Sequence, residues 1–245
     1  MPVFFVASEC IGNGTVTIQG ALLDHLKNSL RTQVAEELWV TDGQRRYRIR
    51  VEHLDRRYLQ GRILAEQIRP RRANPSLLLG QAVLKGERMD WVVQKATELG
   101  AAAIVPLISA RVIARPRAER LGSQQERWQR IAFEASQQAE RWDVPAVKSS
   151  TRVSDFFTDG SSSLFRIIFS ERGDGLSLSS LDLPTSPDTS IVLAVGPEGG
   201  WEKEELAQAL DTRFTPVTLG RRILRAETAA IAAISIVQSR LGELG

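Results

Sequence analysis

The stretch Ile191-Val192-Leu193-Ala194-Val195-Gly196-Pro197-Glu198-Gly199-Gly200 runs from an aliphatic segment straight into a turn built of glycines, a proline and one carboxylate. Consecutive aliphatic residues leave no polar face, which is the pattern of a parallel strand buried on both sides. Further on, Pro216-Val217-Thr218-Leu219 leads in the same way into Gly220-Arg221-Arg222-Ile223-Leu224-Arg225-Ala226-Glu227-Thr228. Open α/β sheets bind ligands outside the carboxyl ends of their strands. The two turns are therefore the candidate ligand site.

The chemistry around the first turn narrows the ligand. Glycines let a ligand approach the backbone closely, and the amides of a following helix commonly hold a phosphate. Here that helix opens Trp201-Glu202-Lys203-Glu204-Glu205. Three carboxylates suit the helix dipole, and they would repel a phosphate at the same place. Neither Gly-x-Gly-x-x-Gly nor Gly-x-x-x-x-Gly-Lys-Ser/Thr occurs in the chain. A ligand that is neutral or cationic near the acids fits better, and S-adenosylmethionine, with a sulfonium and no phosphate, is such a ligand.

Composition removes several other classes. With 245 residues, 42% of them hydrophobic, the chain can bury a sizeable core in one or two domains. Cys10 is the single cysteine and His25 and His53 the only histidines, so no disulfide within the chain and no zinc-type ligand set is expected. No Gly-x-Ser-x-Gly elbow supports a serine hydrolase. The start of the chain lacks a basic n-region, and no run approaches the roughly 18 apolar residues of a membrane span. A cytoplasmic protein with no membrane association is expected.

Alternation and punctuation give the organisation. Val3 to Val6, Thr15 to Ile18, Glu37 to Thr41, Arg45 to Leu54 and Tyr58 to Ile68 read as strands, with a helix near Ala21 to Leu30 and an Asp42-Gly43 hairpin turn. Arg69 to Pro75, with two prolines and three arginines, reads as a linker. Beyond it, strands at Ser76 to Val83, Ala102 to Leu107, Leu164 to Phe169, Ile191 to Val195 and Pro216 to Leu219 alternate with helices. Those helices are near Glu87 to Leu99, Ala118 to Arg141, Glu202 to Leu210 and Thr228 to Leu241. Ser161 to Ser163 and Leu176 to Ser190 read as loops. The last helix is apolar around most of its circumference and should be deeply buried.

Residues 1–75 hold 12 Lys plus Arg against 8 Asp plus Glu, so the positive charge lies at the front. In Arg45 to Leu54, Tyr47, Ile49 and Val51 share one strand face and Arg46, Arg48 and Arg50 the other. Such a row is commonly just a solvated face. Guanidinium groups also fork onto phosphate oxygens, and Arg56, Arg57, Arg69, Arg71 and Arg72 add to the same segment.

The two turns, together with Lys85-Gly86-Glu87-Arg88, Gln94-Lys95-Ala96-Thr97-Glu98-Leu99-Gly100, Glu134-Ala135 with Gln138 and Arg141, and His25-Leu26-Lys27-Asn28-Ser29-Leu30-Arg31, resemble the RsmE family of 16S ribosomal RNA uridine-N3 methyltransferases in the SPOUT superfamily. The resemblance covers nearly the whole chain. Departures are Ser29, Trp201 and Ala226, where the family usually has an aliphatic residue, Phe and Thr. None removes a charged group.

The resemblance implies an α/β, SPOUT-type parallel sheet with a C-terminal trefoil knot over residues 73–245, preceded by a small PUA-like β-barrel domain over 1–72. It implies S-adenosylmethionine as cofactor, 16S rRNA in the 30S subunit as partner, and a homodimer. Cofactor contacts fall on Gly196, Pro197, Glu198, Gly199, Gly200, Leu219, Gly220, Leu224, Arg225, Glu227 and Thr228. RNA contacts fall on His25, Arg31, Arg46, Arg48, Arg50, Lys85, Arg88, Gln138 and Arg141, and no metal is required. Arg225 is the candidate catalytic residue, since its donors can meet charge developing on a uracil oxygen. The residues alone leave open a salt bridge from Arg225 to Glu227 or Glu198, and a Glu198 that accepts amides within its own turn. They also leave open solvated helix faces at Arg88 and Arg141 and a packed His25. Two other readings stand beside the leading one: a ribose 2′-O RNA methyltransferase of the same superfamily, and a non-catalytic ribosome-binding module.

Overall fold

A six-stranded sheet gathers the first part of the chain: β1 (Val3–Phe5), β2 (Ile11–Gly12), β3 (Thr15–Ile18), β4 (Glu37–Thr41), β5 (Arg45–Leu54) and β6 (Leu59–Ile68), in the order β1-β4-β5-β6-β3-β2. The structure, a computed structural model, describes residues 2–112, 121–158, 164–170 and 175–245. Its contacts divide into two units, Met1–Arg71 with Ser136–Asp143, and Arg72–Ala135 with Val144–Gly245.

In the first unit the alternation of β5 turns Tyr47, Ile49 and Val51 inward, against Phe4, Val16, Ile18, Leu38, Val40 and Leu59. The β4–β5 hairpin is closed by Asp42, whose Oδ1 accepts the amides of Gln44 and Arg45 at 2.9 and 2.7 Å. The helix expected from Ala21 to Leu30 is shorter. An α-helix, α1, spans Gly20–Asp24 and continues as a wide π turn over His25–Ser29. That turn closes with the Leu30 amide donating to the His25 carbonyl at 3.1 Å. Arg31, at φ 55°, then ends the segment.

The second unit is built on an all-parallel sheet, from β7 (Ser76–Ala82), β8 (Ala103–Ile108), β9 (Ala146–Val147), β10 (Thr151–Arg152), β11 (Leu164–Phe169), β12 (Leu176–Ser177), β13 (Ser190–Val195) and β14 (Thr215–Thr218). The order is β10-β8-β7-β13-β11-β14-β12, with β9 beside β8. The aliphatic run of β13 lies between β7 and β11, with Val192 opposite Leu78 and Arg166. Its residues alternate between two cores. Ile191, Leu193 and Val195 face α2 (Arg88–Glu98), α3 (Leu121–Gln138) and α6 (Ala226–Arg240). Val192 and Ala194 face α4 (Val153–Phe157), α5 (Lys203–Asp211), Trp201 and Phe214. Each fully buried aliphatic side chain contributes about 1.5–3 kcal/mol, against at most about 1 kcal/mol for an exposed ion pair. Burial on both faces therefore holds this sheet.

The remaining differences from the sequence reading have local causes. β2, β9, β10 and β12 are two residues long, too short to show any period, and α4 is a five-residue turn of helix. Leu176 to Ser190 is not loop throughout. It adds β12 to β14, forms a 3-10 turn at Leu178–Ser180, and buries Leu178 and Leu181 in the larger core. α3 stops at Gln138 instead of Arg141, because Glu140 takes φ 51° and the Arg141 amide donates back to Ser136 at 2.9 Å. The expected helical residues 118–120 and the loop Ser161 to Ser163 lie outside the described residues.

Candidate active site

The first turn leaves β13 at Val195 and closes with the Gly200 amide donating to the Pro197 carbonyl at 2.9 Å. Gly200 takes φ 69°, where a side chain would be strained. Gly196 is glycine for another reason. A Cβ there would sit 3.2 Å from the indole of Trp201, which is 8% exposed and donates its Nε1 hydrogen to the Phe169 carbonyl at 3.0 Å. Close approach at this position is thus to the protein's own ring.

The acids after the turn are largely engaged. Glu202 is the N-cap of α5 and its carboxylate accepts a backbone amide of the first helical turn. Glu205 accepts the Glu202 amide at 2.9 Å, the Ala110 amide at 2.9 Å and the Ser109 hydroxyl at 3.2 Å. A phosphate is disfavoured here because Glu202 already occupies the helix N-terminus. The three carboxylates expected at the start of the helix are there, and Glu202 and Glu205 also cap and brace it.

The second turn follows β14. The Gly220 amide donates to Thr218 Oγ1 at 3.2 Å, and the same hydroxyl donates to the Gly220 carbonyl at 3.2 Å. Arg225 is the extended N-cap of α6, with its carbonyl accepting the Ala229 amide at 2.8 Å.

Between the turns, at the carboxyl ends of β11, β13 and β14, lies a cleft of about 300 Å³. Of the residues expected to touch a cofactor, Gly196, Pro197, Gly199, Gly200, Leu219, Gly220 and Leu224 line it. Glu198, Arg225, Glu227 and Thr228 belong to the turns without lining the cleft. Phe169, Val195, Val217, Ala226 and Ala229 supply apolar walls, and Arg111 and Arg222 the cationic groups. Arg111 donates to the Gly199 carbonyl at 3.1 Å and lies 3.7 Å from Glu202. Phe169 and Arg111 were not anticipated; they reach the cleft from distant strand ends and carry no local signal. Trp201 directly follows the first quoted turn, and Arg222 lies within the second. Among the described residues no cluster of His, Cys, Asp and Glu could hold a metal ion.

The two turn carboxylates have a partner other than the one expected. Glu198 Oε1 accepts from Arg88 Nη1 at 3.1 Å and from the Lys85 amide at 3.3 Å, and Glu227 Oε1 lies 4.0 Å from Arg88 Nε. Neither pairs with Arg225, and the amide held by Glu198 lies outside its own turn. The Arg225 side chain is exposed and makes no hydrogen bond or ion pair among the described residues.

A family described as RNA methyltransferase domain matches residues 72–238. Ribosomal RNA small subunit methyltransferase E of Synechocystis sp. is 34% identical, over 96% of this chain and 77% of that protein. The chain belongs to the RsmE family. A ribosomal RNA small subunit methyltransferase E from Neisseria gonorrhoeae, crystallised with S-adenosyl methionine, superposes with a TM-score of 0.87 at 33% identity, covering 98% of both chains. A methyltransferase structure from Legionella pneumophila with bound cofactor SAM gives a TM-score of 0.85 at 28% identity, covering 97% of each.

The expected RNA contacts of this RsmE-family chain are scattered over both units, and several are already engaged. In the second unit Lys85 is exposed and Arg88 is held by Glu198. In the first, Arg46 stacks 3.9 Å over Trp142 and donates to the Glu140 carbonyl, so it is folded inward and not offered. Arg48 and Arg50 stay about half exposed, and both pair with Glu37 on the neighbouring strand, at 3.7 and 2.9 Å. Arg141 is turned to Asp143 at 2.9 Å and is 12% exposed, so it does not present a solvated helix face. Burial pushes the Asp143 carboxyl up, and the hydrogen bonds and charges of Arg141 and Arg69 outweigh this and hold it below its ordinary value. Arg31, Gln138 and His25 are exposed, the last with its ring 6.3 Å from that of Phe4.

Proposed function

We propose that this chain transfers a methyl group from S-adenosylmethionine to N3 of a uridine in 16S ribosomal RNA, presented on the 30S subunit. The observation that carries the reading is the cleft between the two turns. Its apolar walls suit a flat adenosyl group, and its turn backbone comes from both motifs. The helix N-terminus beside it is capped by Glu202, which suits a ligand without phosphate. Pro197, Gly199, Gly200, Leu219, Gly220 and Leu224 would hold the cofactor, which when bound supplies an electrophilic methyl on a sulfonium.

The chain's own work is done on the uridine. Its N3 proton passes to solvent before the N3 lone pair takes the methyl from sulfur, and if the imide pKa lies about two units above neutrality, that ionisation costs roughly 3 kcal/mol. Arg225, exposed and without a hydrogen bond or ion pair among the described residues, would meet negative charge on O2 or O4. Holding N3 in line with the methyl supplies the rest. The base has to leave its stack to reach the cleft. Lys85, His25, Arg31, Arg48, Arg50 and Gln138 are proposed as RNA contacts, and Glu227 and Thr228 as turn residues that shape the cofactor end.

The first unit is read as a PUA-like RNA-binding domain, and the small residues of α6 as the place where the C-terminal segment is knotted and a second copy docks. No helix among the described residues is long and apolar enough to cross a membrane, and we propose a cytoplasmic site of action. The test incubates the purified protein with S-adenosylmethionine and either 30S particles or naked 16S rRNA, then digests the product and locates the methyl by mass spectrometry. The expected product is N3-methyluridine. A 2′-O-methylated nucleoside, or no cofactor binding by calorimetry, overturns the reading.

A further inference from the structure

Arg88 opens α2, and its guanidinium stands between two carboxylates that belong to different turns of the cleft. Nη1 lies 3.1 Å from Glu198 in the first turn, and Nε 4.0 Å from Glu227 at the start of α6. The side chains of Glu198 and Glu227 are only 19% and 15% exposed. The second oxygen of each, Oε2, is buried without a hydrogen-bond partner among the described residues. Two largely desolvated carboxylates thus share one cation. Neither carboxylate nor Arg88 lines the cleft, so whatever they do is exerted through the backbone of the turns.

Arg88 itself is about half exposed, which makes the ion pairs modest as a source of global stability. Their geometric consequence is larger. Without the guanidinium, like charges on the two turns repel each other and each draws in water, and both responses move the turns apart. We infer that Arg88 is a positioning residue, bracing the Gly196–Gly200 turn against the first turn of α6 and so setting the width of the cofactor cleft. This assignment replaces the RNA contact expected for Arg88, and it rests on the proposed S-adenosylmethionine reading.

Calorimetry with S-adenosylmethionine on the full chain tests it, using wild type, Arg88→Gln, Arg88→Lys, and Arg88→Gln combined with Glu227→Gln. Arg88→Gln is expected to raise Kd at least tenfold. Lysine, a point charge unable to fork onto both acids, should restore only part. Removing the Glu227 charge in the Arg88→Gln background should recover several-fold, a rescue that a phosphate contact or a general scaffold role would not produce. If wild type binds and Arg88→Gln stays within twofold, or the double variant is no better than the single, the inference is overturned. If Arg88→Gln is unfolded by circular dichroism, Arg88→Lys decides, and a Kd within twofold of wild type overturns it. A wild type that does not bind at all instead fails the cofactor reading, and the inference with it.

Discussion

At the scale of single residues, the site is set by contacts that glycine permits and charges that neighbours absorb. Gly196 faces the Trp201 ring, and that ring cannot withdraw because its Nε1 is bonded to Phe169 and its surroundings are filled. Gly196→Ala should therefore cost about 1–3 kcal/mol of overpacking, read as a lower urea midpoint, together with weaker cofactor binding. Stability equal to wild type would show that the indole yields. Arg225 lies at the other extreme, an exposed N-cap of α6 with no side-chain partner among the described residues. Arg225→Ala is expected to lower kcat about 100-fold while cofactor Kd stays within about tenfold, in single-turnover assays paired with calorimetry. Equal losses in both would assign Arg225 to binding.

Elements are held at their ends by carboxylates on backbone amides. The β5–β6 turn is organised by Asp55, which accepts the amides of Tyr58 at 2.9 Å and Arg57 at 2.7 Å, with His53 Nε2 3.2 Å away. Those bonds, the Tyr58 amide foremost, lower its pKa from 3.8 to about 2. A carboxyl depressed in the folded state adds stability above its unfolded value and loses that contribution as pH falls through its folded value. The urea midpoint of wild type should thus fall toward that of Asp55→Asn between pH 3.8 and about 2. A gap unchanged across that window would mean that the turn does not depend on the charge. At α5, Glu202 and Glu205, two acids three apart in the sequence, close a capping box on the backbone amides.

Over the whole molecule, one core in the first unit and two flanking the sheet of the second carry the fold. The arginines of β5 are not a bare row: Arg46 is stacked on Trp142, and Arg48 and Arg50 share Glu37. As proposed RNA contacts, Arg48 and Arg50 would act as two half-neutralised cations. Reversing Arg48 and Arg50 together to Glu should weaken binding and reduce the slope of log affinity against log salt by roughly 1–2, measured by filter binding on 30S particles or 16S rRNA. An unchanged slope would return them to a solvated strand face.

The aliphatic run before Gly196, the alternation in Arg45 to Leu54 and the apolar circumference of the last helix were enough to place β13, β5 and α6. Period and backbone propensity are properties of neighbouring residues, so a single chain displays them. The two glycine turns were legible for the same reason, and the family resemblance added the seven expected cofactor residues that line the cleft. Strands two residues long left no trace, and neither did the arrival of Phe169 and Arg111 at the cleft. Least visible was the partner of Glu198 and Glu227: a carboxylate chooses its counter-charge by distance in space, and it was the packing of α2 against α6 that brought Arg88 to both.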